Sequence, residues 1–351
     1  MKTVLVTGGL GFIGSNFIRL LLKDFSDYKV INLDAVTYAG NPENLKELES
    51  DIHYHFVHGD IGNRQLIDTL LAQEKPDIIV NFAAESHVDR SISGPAAFIE
   101  TNIVGTFTQL EAFRSYCSAG NRCRFLQVST DEVYGSLGAE GYFTETTPYS
   151  PNSPYAASKA SADHLVRAYH HTYKLDTLIT NCSNNYGPYQ FPEKLIPLMI
   201  SNALEGRSLP VYGDGKNVRD WLYVEDHCRA LELVMRAADP GQTYNIGGHN
   251  EMENIALVRL LCNSLDRRLG PLPDQRPRTE LITFVGDRQG HDQRYAIDAE
   301  KIKHDLNWEP QTNLAKGMEM TIDWYLDNQE WLKQVRDGSY QKYYHEMYDQ
   351  R

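Results

Sequence analysis

The chain has 351 residues, which is long enough for a large hydrophobic core and two domains. Its formal net charge of −13 argues against nucleic acid or an anionic membrane surface as a partner. The five cysteines are odd in number and form no C-x-x-C pair, and no apolar run reaches the length of a membrane span. The first residues, which lead directly into a predicted strand and a glycine-rich loop, do not have the pattern of a signal peptide. We therefore expect a cytoplasmic protein with reduced thiols.

A glycine-rich loop lies between the first predicted strand and the first predicted helix. Residues 3–7 form a β-branched apolar run that is typical of a buried strand, and residues 15–22 have a helical pattern. Between them, Gly9, Gly11 and Gly14 match G-x-G-x-x-G, a loop in which the backbone approaches a pyrophosphate at a helix N-terminus. The pattern predicts a dinucleotide site; the alternative is a glycine-rich turn that binds no ligand.

Polar and small residues follow several later predicted strands. Asp34 ends a strand at 30–33, about 20 residues beyond the last glycine, where a carboxylate binds a ribose 2′-hydroxyl and repels a 2′-phosphate. This position favours NAD over NADP. Because parallel sheets bind ligands at the carboxyl ends of their strands, we expect the other strands to contribute contacts as well. These strands and their following residues are 53–57 with Asp60 and Ile61, 77–82 with Ala83 and Ala84, 124–128 with Ser129 and Thr130, and 178–182.

A tyrosine and a lysine have the spacing of one helical face. Ser153 and Pro154 are typical of a helix start, so Tyr155 and Lys159 lie at positions i and i+4 of the predicted helix. A phenol needs nearby positive charge to act as a base at neutral pH, and Lys159 with an oxidised nicotinamide would supply it. The alternative is a capped helix that carries a surface lysine.

Two adjacent acids, Asp131 and Glu132, directly follow Thr130. Adjacent acids near a strand end are commonly only solvated. In unlike environments, however, one carboxyl can stay protonated as a general acid while the other is ionised as a base. Elimination of water requires this division. Together with the dinucleotide loop, it predicts oxidation of a substrate followed by acid–base chemistry on the oxidised intermediate.

The second half of the chain has a different pattern. Prolines become frequent between 188 and 210, whereas 221–224, a helix at 226–237 and a strand at 243–246 are expected to return to the first domain. We therefore expect an α/β protein with a Rossmann-type doubly wound parallel sheet and a smaller, discontinuous α/β substrate domain. The predicted boundaries are 1–185 plus about 221–249 for the NAD-binding domain, about 186–220 plus 250–330 for the substrate domain, and 331–351 for a C-terminal tail.

Several motifs together resemble the extended short-chain dehydrogenase/reductases, and among them the nucleotide-sugar 4,6-dehydratases. The Thr-Asp-Glu triplet at 130–132 is the most specific of them, because the related 4-epimerases lack the acid pair. Leu10, Ala35 and Gln289 depart from the family pattern without touching the catalytic set. The resemblance extends to about residue 325, and its motifs are 8–14, 34–40, 83–89, 129–135, 155–159, 184–188, 193–197, 218–221 and 287–292.

The resemblance implies dehydration of dTDP-glucose to dTDP-4-keto-6-deoxyglucose on NAD that is regenerated in each turnover. Tyr155, assisted by Lys159 and Thr130, takes the C4 hydroxyl proton while C4 is oxidised. Glu132 then removes the C5 proton, Asp131 protonates the leaving C6 hydroxyl, and a hydride returns to C6.

Three alternatives to this reaction stay open. UDP-glucose could be the substrate, because thymine and uracil differ by one methyl, worth ~1–3 kcal/mol in an apolar pocket. A nucleotide-sugar 4-epimerase or decarboxylase would need Tyr155 and Lys159 but not the acid pair. An inactive NAD-binding regulator would keep the glycine loop and usually lose the Tyr/Lys pair.

The resemblance also implies the binding residues and a homodimer. Arg219 and Arg288 suit a pyrophosphate because a guanidinium can bond two oxygens at once; the alternative is surface salt bridging. The expected cofactor contacts are Gly8, Gly11, Phe12, Ile13, Gly14, Asp34, Thr37, Asp60, Ile61, Ala83, Ala84, Glu85, Thr101, Tyr155, Lys159 and Asn185. The expected substrate contacts are Ser86, His87, Thr130, Asn184, Lys194, Leu195, Pro210, Tyr212, Arg219, Asn254, Arg288 and His291. We expect no metal site.

The homodimer is expected through a helix near 95–115 and the helix that starts at Tyr155. Phe98, Phe107, Leu110 and Phe113 make the first of these helices apolar enough for such a contact. A helix packed within the monomer would show the same pattern.

Overall fold

The structure is a computed structural model that describes residues 1–336; most of the predicted tail, 337–351, lies outside the described residues. The strands are β1 (Lys2–Thr7), β2 (Tyr28–Asp34), β3 (Tyr54–His58), β4 (Ile78–Asn81), β5 (Arg124–Thr130), β6 (Thr177–Cys182), β7 (Asn184–Tyr186), β8 (Leu209–Tyr212), β9 (Val218–Tyr223), β10 (Thr243–Ile246), β11 (Glu251–Glu253) and β12 (Ile282–Val285). The α-helices are α1 (Phe12–Asp24), α2 (Arg64–Glu74), α3 (Val88–Ser93), α4 (Pro95–Phe98), α5 (Thr106–Ser118), α6 (Pro154–Tyr173), α7 (Leu195–Leu204), α8 (Val224–Ala237), α9 (Asn254–Leu269), α10 (Glu300–Leu306), α11 (Leu314–Asp327) and α12 (Gln329–Val335). Short 3₁₀ helices span Pro42–Leu48, Asp131–Tyr134 and Arg278–Leu281, and a π-helix spans Ile99–Gly105.

A seven-stranded sheet with the order β10-β6-β5-β4-β1-β2-β3 forms the larger domain, and every pair in it is parallel. Its inner strands are buried along nearly their whole length because helices cover both faces. Phe17, Leu231 and Met235 belong to the core on one face, whereas Leu70 and Phe113 belong to the core on the other. The strand order reverses between β1 and β4, which is where ligands bind in such sheets. The predicted Rossmann-type fold is therefore confirmed.

A smaller domain is built from chain segments on both sides of α8 and β10. It contains a three-stranded sheet, β11-β9-β7, and a parallel pair, β12-β8. Its core joins α7, α9, α11 and α12, and Trp331 and Leu332, which we had assigned to the tail, are buried in it. We expected 221–224 to return to the first domain. The strand β9 pairs with β7 and β11, and Trp221 and Tyr223 pack in the smaller core, whereas Leu222 and Val224 pack in the core of the larger domain.

An aromatic cluster joins the two domains. The guanidinium of Arg19 lies 3.7 Å from the ring centre of Tyr189, which packs against Trp324 and Trp331. The indole N–H of Trp331 donates to Asn44 Oδ1 at 2.7 Å. The contacts tie α12 of the smaller domain to the larger one.

The apolar helix region near 95–115 is mostly used within the monomer. Phe98, Leu110 and Phe113 are at most 1 % exposed, so these three positions do not form a surface patch. The exposed fraction is 45 % for Phe107, 43 % for Ile99 and 42 % for Val104. Within residues 1–336, no helix is long and apolar enough to cross a membrane.

Candidate active site

The glycine loop brings the backbone of β1 against α1. Gly8 has φ +72°, and a Cβ there would lie 2.6 Å from Ala83 N; a Cβ on Gly14 would lie 2.4 Å from Gly8 O. These two glycines are required by packing. A Cβ on Gly11 would meet only Gly8 O at 3.3 Å, so this position keeps the cleft open. Helix α1 starts at Phe12, earlier than expected, and no side chain caps its first N–H groups, which fits a bound diphosphate.

The Asp34 carboxylate lies at the end of β2 and borders the same cleft. Oδ2 accepts a hydrogen bond from Leu10 N at 2.9 Å, and Oδ1 accepts one from Val36 N at 2.8 Å. Burial raises the pKa of Asp34, whereas these two bonds lower it. Each oxygen keeps a lone pair, so the carboxylate fits the role of accepting hydrogen bonds from ribose hydroxyls.

Every predicted cofactor contact lines one elongated cleft at the switch point of the sheet. The cleft runs from the glycine loop past Asp34 to the ends of β4, β5 and β6, and the combination of an open glycine backbone and a carboxylate fits a dinucleotide. The predicted contacts that line it are Gly8, Gly11, Phe12, Ile13, Gly14, Asp34, Thr37, Asp60, Ile61, Ala83, Ala84, Glu85, Thr101, Tyr155, Lys159 and Asn185.

Thr130, Asp131 and Glu132 lie where β5 ends and a single 3₁₀ turn begins. The Thr130 hydroxyl accepts a hydrogen bond from Glu132 N and donates one to Asp131 Oδ1, both at 3.3 Å. The threonine therefore caps the turn that carries the two consecutive acids. All three residues line the cleft.

The two acids differ in their surroundings. Asp131 is 2 % exposed, and burial together with the charges of Glu132 and Asp220 raises its pKa well above the usual range. Burial also raises the pKa of Glu132, but the cations Arg288 and Lys194 oppose it. Asp131 is therefore the better proton donor and Glu132 the better base, which is the division that an elimination requires.

Tyr155 and Lys159 lie on α6, whose start at Ser153 and Pro154 is confirmed: the Ser153 side chain accepts from the backbone of the first turn. Both side chains are buried beside the cleft. The ammonium of Lys159 donates to Val128 O at 2.8 Å.

Burial dominates the electrostatics of this pair. It raises the pKa of the Tyr155 phenol well above the usual range, and Glu132 adds to the rise, whereas a hydrogen bond with Thr130 lowers it. Burial lowers the pKa of Lys159. The Tyr155 phenol can therefore act as a base at neutral pH only when additional positive charge lies next to it.

A second cavity adjoins the cleft, and Glu132, Asn184 and Lys194 line both. Asn184 and Trp221 are direct partners in the β7–β9 pair. Ser86 and Thr130 line the cleft side. The remaining predicted substrate contacts line the second cavity: His87, Leu195, Pro210, Tyr212, Arg219, Asn254, Arg288 and His291.

Arg219 does not form the surface salt bridge that we considered as the alternative. It is 4 % exposed, donates to the carbonyl oxygens of Val218 and Asp292 at 2.8 and 2.9 Å, and lies 4.2 Å from the ring centre of Tyr295. It therefore holds the loop before Tyr295 and borders the second cavity at the same time. Its binding role stays a prediction.

Glu193 and Tyr295 are among the buried residues of the second cavity that were missed. Glu193 is 4 % exposed and accepts from Arg90 Nε at 3.1 Å, and Tyr295 donates to Asp292. Glu193 lies within the motif 193–197 of the family resemblance, whereas Tyr295 lies outside its motifs. No cluster of metal-ligating side chains is present within residues 1–336.

Comparison with known proteins agrees with this geometry. Residues 5–321 match the family described as GDP-mannose 4,6 dehydratase. The dTDP-glucose 4,6-dehydratase of Xanthomonas campestris pv. campestris (strain B100) is 57 % identical over 345 residues, which is 97 % of each chain. dTDP-glucose 4,6-dehydratase 1 of Escherichia coli (strain K12) is 53 % identical over 362 residues, covering 99 % of each.

Solved structures give the same result. DesIV, a dTDP-glucose 4,6-dehydratase from Streptomyces venezuelae with NAD and TYD bound, superposes with a TM-score of 0.88 at 47 % identity and covers 95 % of this chain and 99 % of its own. A UDP-glucose 4-epimerase from Thermotoga maritima with UDP-glucose has a TM-score of 0.82 at only 28 % identity, covering 93 % and 99 %. The protein described here therefore belongs to the nucleotide-sugar 4,6-dehydratase family, together with the dTDP-glucose 4,6-dehydratases.

Proposed function

We propose that the protein is a hydro-lyase that converts dTDP-glucose to dTDP-4-keto-6-deoxyglucose with NAD as a cofactor that is regenerated in each turnover. The observation that carries this proposal is the acid pair, in which a deeply buried Asp131 and a cation-flanked Glu132 lie beside Tyr155 and Lys159. The relatives named above carry the same activity in their names. NAD, when bound, accepts and returns a hydride and brings a positive ring charge into the cleft.

Tyr155 is the base of the first step. Its phenol takes the proton of the C4 hydroxyl, and the hydrogen bond with Thr130 favours the charged form of the phenol. The buried ammonium of Lys159 supplies positive charge from the same helical face. The resulting C4 ketone makes the neighbouring C5 proton acidic.

The acid pair carries the elimination. Glu132, whose negative charge is favoured by Arg288 and Lys194, removes the C5 proton. Asp131, kept protonated by burial and by neighbouring carboxylates, gives its proton to the C6 oxygen, which leaves as water. Glu132 then holds the proton that returns to C5 once C6 has been reduced, and the proton that Tyr155 took from the C4 hydroxyl balances the one that Asp131 gave to the leaving water.

The nucleotide diphosphate of the substrate occupies the second cavity. Arg219 and Arg288 face it with guanidinium groups suited to phosphate oxygens, and Tyr212 and His291 form its aromatic wall, with ring centres 6.2 Å apart. The sugar then lies at the junction of the two cavities, next to Glu132.

Incubation of the purified protein with dTDP-glucose and, separately, UDP-glucose tests the proposal. NAD is added to a parallel sample, and products are analysed by mass spectrometry. Loss of one water from dTDP-glucose, with slower or no reaction of UDP-glucose, is expected. A product of unchanged mass with inverted C4 would indicate a 4-epimerase, and no reaction of either sugar with NAD present would refute the assignment.

We further propose a cytoplasmic homodimer. Five cysteines without a disulfide in the structure suit a reducing compartment. Ile92, Ile99, Val104 and Phe107 are each 37–45 % exposed on the helices α3 to α5 and the π-helix, and they form the apolar surface for the dimer contact. Sedimentation of wild type and Phe107→Asp tests it; a wild-type monomer would refute the dimer.

A further inference from the structure

Asp163 is a buried acid on α6, one helical turn beyond Lys159. It follows Lys159 by four residues and Tyr155 by eight on α6, so the three side chains share one helical face. Its carboxylate is 1 % exposed. Nothing in the reaction described above uses it.

Three elements hold the Asp163 carboxylate in place. Oδ2 accepts hydrogen bonds from Ser129 Oγ at 2.7 Å, Tyr149 OH at 3.2 Å and Asn181 Nδ2 at 3.4 Å. Oδ1 has no hydrogen-bond partner among residues 1–336. Donors from β5, β6 and the loop before α6 thus hold Oδ2 in place, whereas no hydrogen bond from the described residues offsets the negative charge on Oδ1.

Lys159 is the neighbouring group that needs such a charge. Its side chain is buried, and burial lowers the pKa of the ammonium, whereas the charge of Asp163 raises it. An isolated ammonium in the protein interior is costly unless a negative group lies close by. The carbonyl of Val128, which accepts from Nζ, carries only a partial charge.

We propose that Asp163 is a positioning residue whose carboxylate is the buried counter-charge that keeps Lys159 protonated behind Tyr155. The proposal rests on the proposed role of Tyr155 as base. Asp163 touches neither cleft nor second cavity, so it acts only through the lysine.

Other titratable groups near Asp163 do not replace it. Burial raises the pKa values of Tyr149 and Tyr134 and brings that of Cys182 to about 12, so these groups stay neutral. Glu145 lies farther along the loop and accepts from Asn245 N, and the His164 ring packs on Tyr149. Asp163, whose pKa burial raises to about 6, is ionised above that pH.

The variant Asp163→Asn tests the proposal, because it keeps the shape and removes the charge. Loss of a negative charge favours deprotonation of both neighbours, so both limbs of the pH profile of kcat/KM should move to lower pH by about one unit. Asp176→Asn, which removes the acid that pairs with Arg124 away from the site, is the matched control and should leave the profile in place.

A second readout does not depend on turnover. With ¹³C at lysine Cε, the Lys159 resonance is assigned by its loss in Lys159→Arg, and its titration midpoint should fall in Asp163→Asn. An unchanged midpoint would overturn the proposal even if activity were lost. If the wild-type protein leaves the sugar substrate unchanged but the Lys159 titration midpoint still shifts in Asp163→Asn, the proposed function is refuted and the role of Asp163 as counter-charge is supported.

If Asp163→Asn does not fold, a second variant tests the proposal. Tyr149→Phe removes one donor to the carboxylate, so Asp163 binds its proton at higher pH. Between pH 6 and 8 the Lys159 resonance of this variant should lose part of its ammonium character, and an unaltered titration would overturn the proposal.

Discussion

Replacing Asp131 by asparagine separates the catalytic role of this carboxyl from its effect on stability. Asparagine has the same shape and, like a protonated carboxyl, carries no charge. Because burial and the charges of Glu132 and Asp220 raise the pKa of Asp131 in the native state, the wild-type side chain is neutral there at pH values where it is ionised in the unfolded chain.

The size of the effect follows from proton linkage. Above the ordinary aspartate pKa of ~3.9 the unfolded chain releases the proton and the native state keeps it. The native state then binds more protons, so wild-type stability falls as pH rises, by about 1.4 kcal/mol per pH unit, until the raised native pKa is reached. Asp131→Asn lacks this dependence, so its free energy of unfolding should gain on wild type as the pH rises from 5 to 7.

Urea unfolding of the cofactor-free proteins at pH 5, 6 and 7 measures this difference. Asp239→Asn, at an exposed position, controls for the chemical change itself. Turnover of the Asp131 variant should fall by about 10²–10⁴-fold, because the proton donor is lost. If the difference in free energy of unfolding between Asp131→Asn and wild type stays constant or shrinks as the pH rises, Asp131 is ionised in the native state. Its assignment as the general acid would then fail.

Four further substitutions test other parts of the protein. Glu132→Gln should bind NAD and oxidise C4, seen as absorbance of the reduced cofactor, without exchanging the C5 proton with deuterated solvent; full turnover would refute the base assignment. Gly11→Ala should weaken NAD binding at least tenfold in a fluorescence titration with little change in Tm, because its Cβ would enter the cleft. Gly14→Ala should lower Tm as well, because its Cβ would lie 2.4 Å from Gly8 O. Equal Tm values for the two glycine variants would contradict this distinction. Phe107→Asp should produce a monomer of unchanged secondary structure, measured by sedimentation and circular dichroism; a persistent dimer would exclude this surface.

The sequence was most informative where local pattern and burial coincide. The apolar run at 3–7 and the run at 178–182 are strands buried on both faces, and their composition alone indicates that. The glycine loop and the Ser153–Pro154 start have fixed backbone requirements, so their positions were predictable. The same holds for the residues that follow strand ends, which meet at one edge of a parallel sheet.

Features set by distant contacts were not predictable. Trp221 lies in an apolar run that would suit either sheet, and only its pairing with Asn184 assigns it to the smaller one. The spacing of Asp163 from Lys159 is visible in the sequence, but its burial depends on Ser129, Tyr149 and Asn181. Likewise, periodicity marks Phe98 and Phe107 as equally apolar, although one is buried and the other exposed.

The order of the elements along the chain also governs how the protein emerges during translation. The ribosome delivers β7 to β9 before α8 and β10, so the larger sheet must wait for Thr243–Ile246 before β6 gains its outer neighbour. Until then β6 is an open edge of buried residues, able to pair with another nascent chain. A fragment that stops after β7 keeps that edge permanently. The larger domain is therefore not one uninterrupted stretch of sequence, and a separable version would require joining Cys182 to Val224 and the following residues through Ile246.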